Sequence, residues 1–342
     1  MDQGTTPTLA AEVADAEAQP RTVVRIMEFV DRFGVLVLVL ALAVVSYAVQ
    51  PDVFLTPNNI ANIFRQTAFL ALLALGQFIV IVTAGIDLSV GSTLALAMMS
   101  TAVLSVAGVP WPVLVVTPFV VGGAVGLVNG LGLTKLHMPH PFIMTLGTLN
   151  IARGLTNLIS GGVPISGLPP EVRWLGAGNL TLLGIQVPVS VVAVLVTFAM
   201  VWAFLQHSRT GRHIYAIGGN PQAARVSGIN VDRTLVVVYT LCGLLAGFSG
   251  LLLAGRTNSG FPNAGIGSEL DAISAVVIGG ASFFGGRGTV LGVFAGVLVI
   301  GMMRNLLNLS NVQVFWQQIL IGVVIIAVVA LGVLRRRVSA AT

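Results

Sequence analysis

The sequence predicts an all-α polytopic membrane protein with about ten transmembrane helices and both termini in the cytoplasm. Three observations lead there. Of 342 residues, 56% are hydrophobic and only 8% charged, at a mean hydropathy of +0.96. A soluble domain carries about 25% charged residues, and no soluble core of this size hides so much apolar surface. Apolar runs recur in regular order, most of them near the roughly 20 residues that cross a bilayer. Finally, the cationic residues are distributed unevenly between those runs. With the N-terminus inside, cytoplasmic segments hold Arg21, Arg25, Arg32, Lys135, Arg209, Arg212, Arg225, Arg233, Arg287, Arg335, Arg336 and Arg337. Only Arg65, Arg153, Arg173, Arg256 and Arg304 fall elsewhere, the asymmetry that orients membrane proteins.

The spans are expected at 33–50, 60–83, 88–108, 113–133, 142–160, 187–206, 234–254, 269–284, 289–304 and 316–334. Gly and Ser interrupt the third, eighth and ninth or their neighbours. Residues 1–32 read as a disordered cytoplasmic tail and lead-in. The first twenty are polar, with Asp2, Glu12, Asp15 and Glu17, and lack the apolar stretch and cleavage site of a signal peptide. Residues 33–334 form one transmembrane domain, and 335–342 a basic tail. The outer segments 51–59, 161–186 and 255–268 are rich in Pro, Gly, Asn and Ser and read as short structured loops. Glu269 and Asp271 suit the helix N-terminus of the eighth span.

Composition and pattern exclude several classes of function. The pI of 10.3 comes from cations spread thinly between apolar spans, which excludes a nucleic-acid face. The single Cys242 excludes an intrachain disulfide and a cysteine metal cluster. His137 and His140 are separated by Pro139 and have no Cys or carboxylate nearby, so no metal site is expected. SFFGGRGTVLG (282–292) lacks the Lys and Ser/Thr of a phosphate loop and reads as a tight cytoplasmic turn. No nucleophile–base pair is present, so no catalytic residue is assigned.

The longest polar interval is 207–233. Asn220 is a good N-cap, Pro221 suits the first helical position, and Gly228 can take the left-handed turn that ends a helix. Between them lies a helix of about two turns, too short to be stable in water unless it packs on something. One partner is the lipid headgroup layer, near Arg209, Arg212 and Arg225; another is a docking protein.

Ionisable and polar residues at membrane depth are the second set of candidates. In GIDLSVGS (85–92), Asp87 either caps the third helix at the cytoplasmic interface, as Ser89 also could, or lines a path. Gln77, Asp87, Ser89, Asn129, Thr145, Asn150, Arg153 and Ser274 are the candidates for lining a translocation path. Asn150 and Arg153, three apart, can share a helix face.

QAARVSG (222–228) is similar to the EAA-x-x-x-G signature of bacterial ABC importer permeases, with Gln222 in place of the Glu. GIDLSVGS (85–92), PFIMTLGTLNIARGL (141–155), GRHIYAIGGNPQAARVSGI (211–229) and AISAVVIGGASFFGGRGTVLG (272–292) resemble, in order, the ribose-type permease family of ABC importers, from about residue 55 to the end. The resemblance implies a multi-pass subunit of the bacterial inner membrane that carries a sugar or related small polar solute. It implies that Arg212, Asn220, Pro221, Gln222, Ala223, Ala224, Arg225 and Gly228 form the element docking into a cleft of an ATP-binding subunit, whether two such chains or two fused domains. It further implies a second permease copy or paralogue and a periplasmic or lipid-anchored sugar-binding protein. ATP and Mg would be bound by the partner, with no cofactor in this chain. The Gln at 222 puts in doubt any salt bridge the family's Glu makes. The competing reading is an ion-driven secondary transporter, which needs facing ionisable residues in mid-span. An intramembrane enzyme would need a paired catalytic set, which the spans lack.

Overall fold

Inside a bilayer each backbone N–H and C=O must find its partner within the protein, which leaves helices as the default spanning element. The computed structural model describes residues 21–182, 184–324 and 326–327. Its helices are α1 (Arg21–Val49), α2 (Pro57–Val82), α3 (Val90–Val106), α4 (Trp111–Lys135), α5 (Pro141–Ser160), α6 (Pro170–Ala177), α7 (Val189–His207), α8 (Arg209–Gly219), α9 (Pro221–Val226), α10 (Val231–Thr257), α11 (Ser268–Ile278), α12 (Val290–Leu309) and α13 (Val314–Val324). Five of these, α2, α4, α7, α10 and α12, are long and apolar enough to cross a membrane.

The helix starts are fixed by local capping. Pro57 follows Thr56, whose hydroxyl accepts from Asn59 N at 3.3 Å, and Pro141 follows His140, whose Nδ1 accepts from Phe142 N at 3.2 Å. Gly161, at φ +61°, ends α5. The segments expected as structured loops are structured, partly as strand. β1 (Ile165–Ser166) pairs antiparallel with β4 (Ser259–Gly260), tying the segment after α5 to the segment after α10. β2 (Asn179–Leu182) and β3 (Ile185–Pro188) form a hairpin leading into α7.

Two expectations need adjustment. The run at 269–284 is not a full span: α11 has 11 residues, about 16 Å, against a hydrocarbon thickness of about 30 Å. Gly279 closes it and Gly280, at φ +86°, turns the chain away. The boundary set at residue 33 falls inside α1, which begins at Arg21. Residues 1–20, the basic tail 335–342 and the end of the 316–334 span lie outside the described residues.

α2 is the central pillar. Its most apolar window is 83% buried, and α7, α8, α10, α11 and α12 all pack on it. α10 packs against α2, α3, α4 and α6. The α4–α10 contact is a glycine seam in which backbone meets backbone. A Cβ at Gly126 would stand 2.2 Å from Tyr239 O, one at Gly122 2.2 Å from Gly243 O, and one at Gly247 2.0 Å from Pro118 O. Small residues spaced by four let membrane helices approach this closely, where dispersion replaces the missing hydrophobic drive. The outer faces of α4 and α7 expose Val116, Val120, Leu195, Val196 and Met200, as lipid-facing surfaces do.

The seam yields a test. Gly126→Val drives Cβ into the carbonyl of Tyr239 and should cost about 1–3 kcal/mol or more, because backbone cannot step aside. Thermal unfolding in detergent should drop clearly for Gly126→Val and stay unchanged for Gly322→Ala, where an added Cβ meets nothing within 4 Å.

Candidate functional site

The polar interval at 207–233 is almost wholly helical. Ser208 Oγ accepts from Gly211 N at 2.9 Å and starts α8. After Gly219 the chain breaks at Asn220, whose Oδ1 accepts from Gln222 N at 3.0 Å and Ala223 N at 2.9 Å, starting α9. At the other end Ile229 N donates to Ala224 O and Gly228 N to Arg225 O, both at 3.0 Å, with Gly228 at φ +82°. This is the two-bond left-handed closure that glycine favours, with its customary apolar contact. Ala224 packs with Ile217 and Val231, flanked by Ile229 and Leu235. The expected helix is present, capped at the expected residues. The eleven-residue α8 before it was not anticipated, although Ser208 was there as a start signal.

One face of α9 anchors it; the other is open. Ala224 is buried, whereas Pro221, Gln222, Ala223, Arg225 and Val226 are exposed, Val226 to 91%. Arg225 reaches Asp232 at 3.7 Å, with side chains 66% and 54% exposed, an ion pair that adds little. Arg212 is exposed on α8. Val226 is thus a single apolar side chain presented near the end of a doubly capped helix.

α8 fixes this pair to the bundle. A Cβ at Gly218 would stand 1.7 Å from Val82 O, at the end of α2, so only glycine fits. Gly286 N donates to that same Val82 O at 2.9 Å, and Tyr215 Oη donates to Gly288 O at 3.1 Å. Burial raises the Tyr215 phenol above its ordinary pKa and keeps it a donor. The 282–288 turn, read in the sequence as a simple connection, is therefore clamped between α8 and the end of α2.

Five residues beyond Val82 lies Asp87, 1% exposed. Its Oδ1 accepts from Ser89 N at 2.8 Å and Ser89 Oγ at 2.6 Å, and its Oδ2 from Asn129 Nδ2 at 3.3 Å. Asn129 Nδ2 also donates to Ser89 Oγ at 2.9 Å, and Thr148 Oγ1 donates to Asn129 Oδ1 at 2.7 Å. Thr145 Oγ1 reaches Ile86 O at 3.4 Å. With its amide oriented to satisfy both groups, Gln77 donates to Asp87 O at 3.0 Å and accepts from Asp87 N at 3.2 Å. The Tyr239 hydroxyl, buried and without a hydrogen-bond partner, ends against Gly85, where an added Cβ would stand 2.7 Å away. Gln77, Asp87, Ser89, Asn129 and Thr145 thus come together in one buried polar knot, together with Thr148. The knot ties α2, α4 and α5 to the start of α3. Asp87 accepts from the backbone N–H of Ser89, the residue that stands at the N-cap of α3 and makes no side-chain cap bond of its own.

The remaining candidates lie apart. Arg153 donates to the carbonyls of Pro262 and Ala264, at 2.8 Å for the latter, and holds the loop 258–268. Ser274 donates to Leu270 O at 2.5 Å within α11 and is buried. Asn150 is exposed on α5, its Nδ2 donating to Leu146 O at 2.9 Å, so it and Arg153 turn to different surroundings despite their spacing. Gly147, Gly154 and Asn157 share the exposed face with Asn150. Asp271 pairs with Arg304 of α12 at 2.6 Å, a partner the helix-terminus argument did not name. Among the described residues, no three His, Cys, Asp or Glu side chains are grouped to hold a metal ion.

Comparison with known proteins follows this geometry. Residues 59–329 match the family described as branched-chain amino acid transport system / permease component. Over 298 residues the chain is 42% identical to the ribose import permease protein of Bacillus subtilis (strain 168), covering 87% of this chain and 90% of that one. It is 40% identical over 304 residues to the D-allose transport system permease protein of Escherichia coli (strain K12), covering 89% and 92%. It is 37% identical over 314 residues to the galactose/methyl galactoside import permease protein of the same strain, covering 87% and 93%. No solved structure matches the chain.

Asp87→Asn would set the new amide N–H₂ against that of Asn129, two donors without an acceptor between them. A loss of about 1–3 kcal/mol is expected, seen as reduced folded yield and a lower melting temperature. Asn150→Ala, on the exposed face, should melt as the parent does.

Proposed function

From the premise that this chain belongs to the branched-chain amino acid transport system / permease component family, we propose that it is the membrane-spanning permease subunit of an ABC importer for a sugar or related small polar solute, in the bacterial inner membrane. ATP is hydrolysed on a separate subunit, and α9 is the element that docks there. The observation that carries this reading is α9 itself: closed at both ends by hydrogen bonds, apolar at its exposed tip, and joined through Gly218 to the end of α2. A floppy loop would absorb a displacement; this arrangement transmits it. Movement of α8–α9 presses on Val82 and on the 282–288 turn, and through residues 83–87 reaches the polar knot. α2 is the most buried span, so it moves with its neighbours rather than past them.

Both termini are cytoplasmic in this reading. About ten membrane segments are counted by including α1, α3, α5, α13 and the short α11 with the five long spans. A second copy or paralogue stands against the first, and a periplasmic or lipid-anchored sugar-binding protein delivers the solute. The path runs along α5, where Asn150 and Asn157 are exposed at helical spacing beside Gly147 and Gly154. Amides there offer donors and acceptors to sugar hydroxyls without net charge. The amide nitrogens of Asn150 and Asn157 already donate to Leu146 O and Arg153 O within α5, and exposed polar side chains are more favourable beside water or protein than beside lipid.

Uptake of radiolabelled sugar into proteoliposomes holding permease, ATP-binding subunit and binding protein should require ATP; uptake sustained by an ion gradient alone would favour a secondary transporter. Replacing 218–228 with a Gly/Ser linker should abolish capture of the ATP-binding subunit in a detergent pull-down. Gly228→Val meets no steric neighbour, so its effect is backbone strain of about 1–2 kcal/mol in the left-handed region. ATP hydrolysis should persist in that variant while uptake per ATP falls. Asn150→Leu should lower uptake about fivefold, the equivalent of one hydrogen bond, with ATPase activity intact. Unchanged uptake would remove Asn150 from the path.

A further inference from the structure

The chain between α10 and α11 does not stay at the end of the bundle; it descends along α3. At Gly260 an added Cβ would stand 2.9 Å from Ala102 Cβ and 3.1 Å from Met99 Cα. At Gly265 the chain has reached the first turn of α3, where a Cβ on Gly91 would run into the Gly265 carbonyl. From Met99 to Gly91 is about 12 Å of helix rise. The start of α3 is itself deep, because Asp87 bonds to Gln77, five residues short of the Val82 end of α2. Residues 261–265 therefore sit roughly 8–20 Å along the roughly 39 Å of α2, within the height of a span. They complete the crossing that the short α11 cannot make alone.

The segment is a turn, and it is pinned. Gly265 at φ +69° and Gly267 at φ +78° swing the chain into α11. Arg153 of α5 donates to the carbonyls of Pro262 and Ala264, and Ala264 N donates to Phe261 O at 3.1 Å. Pro262 and Ala264 are buried, while Asn263 between them is exposed. Among the described residues, the backbone N–H groups of Asn263 and Gly265 donate to no acceptor, and the Asn263 carboxamide makes no hydrogen bond. Non-helical backbone at this depth is tolerated only where protein covers it or water reaches it. Unanswered amides facing lipid would be costly.

We infer that Asn263 contacts the solute at mid-depth of the translocation path, and that the turn 261–267 is the wall that presents it. The inference rests on the permease reading and adds a site apart from the amides of α5. A carboxamide and two backbone N–H groups offer an acceptor and several donors without charge, which suits the hydroxyls of a neutral polyol. Ile266, 66% exposed on the same turn, gives the solute an apolar surface beside them. Arg153 is a positioning residue here, acting through the two carbonyls it holds.

The test uses the permease assembled with its ATP-binding subunit and binding protein in proteoliposomes. The chain's single native thiol, Cys242, is fully buried, so an introduced cysteine reports alone. A membrane-impermeant methanethiosulfonate, present on both faces, should modify Asn263→Cys and spare Val120→Cys, which lies on the lipid-facing side of α4. Modification should slow in the presence of whichever of ribose, D-allose or galactose the parent takes up. Asn263→Ala should lower that uptake about fivefold, the loss of one hydrogen bond, with ATP hydrolysis intact. Ile266→Cys repeats the accessibility measurement if Asn263→Cys fails to fold. Cysteines at 263 and 266 that stay unmodified would show the turn covered by protein or lipid and overturn the proposal. Unchanged uptake by Asn263→Ala would overturn it as well. A parent that takes up none of the three sugars with ATP counts against the sugar reading instead, and modification alone then decides whether Asn263 faces an aqueous path.

Discussion

The carbonyl of Val82 is the point on which the arrangement turns. It ends the central helix α2, accepts from Gly286 N at 2.9 Å, and has Gly218 of α8 pressed against it so closely that no Cβ fits. Three chain segments distant in sequence meet at one backbone group. Since the contact is backbone to backbone, it has no rotamers to yield. The placement of α9, the shape of the 282–288 turn and the approach to Asp87 all follow from it.

The same principle recurs in the interior. The glycine seam between α4 and α10 brings Asn129 of α4 within reach of Asp87 and Ser89, and sets Tyr239 of α10 against Gly85. Close backbone approach and buried polar satisfaction are thus two sides of one design. A wider spacing would leave the Asp87 carboxylate without Asn129, and an unsatisfied charge at this depth is costly. The knot is dense and closed, whereas Asn150 and Asn157, on the other side of α5, are exposed.

Much of this was legible in the sequence. The apolar runs marked helices at nearly every expected position, because a bilayer permits few other solutions. Asn220, Pro221 and Gly228 announced α9, since capping is local chemistry written within a few residues. The polar residues of the knot were also visible individually. Their assembly was not, because Gln77, Asp87, Asn129 and Thr148 sit on different elements and only packing brings them together. α8 was hidden because its residues, including Gly211, Gly218 and Gly219, have weak helix propensity; it forms because its buried face packs on the bundle. The run at 269–284 misled by composition: its residues are apolar enough to span, but Gly279 and Gly280 end the helix at eleven residues.

By itself the sequence determined that the chain lives in a bilayer, where most of its helices lie, and where the short helix α9 begins and ends. These are matters of transfer free energy and local hydrogen bonding, summed along the chain. Tertiary structure alone decided which polar residues are buried together and which stay exposed, and which glycines are contacts rather than turns. Those outcomes depend on distances between segments far apart in sequence, and such distances are set by how closely the helices can pack.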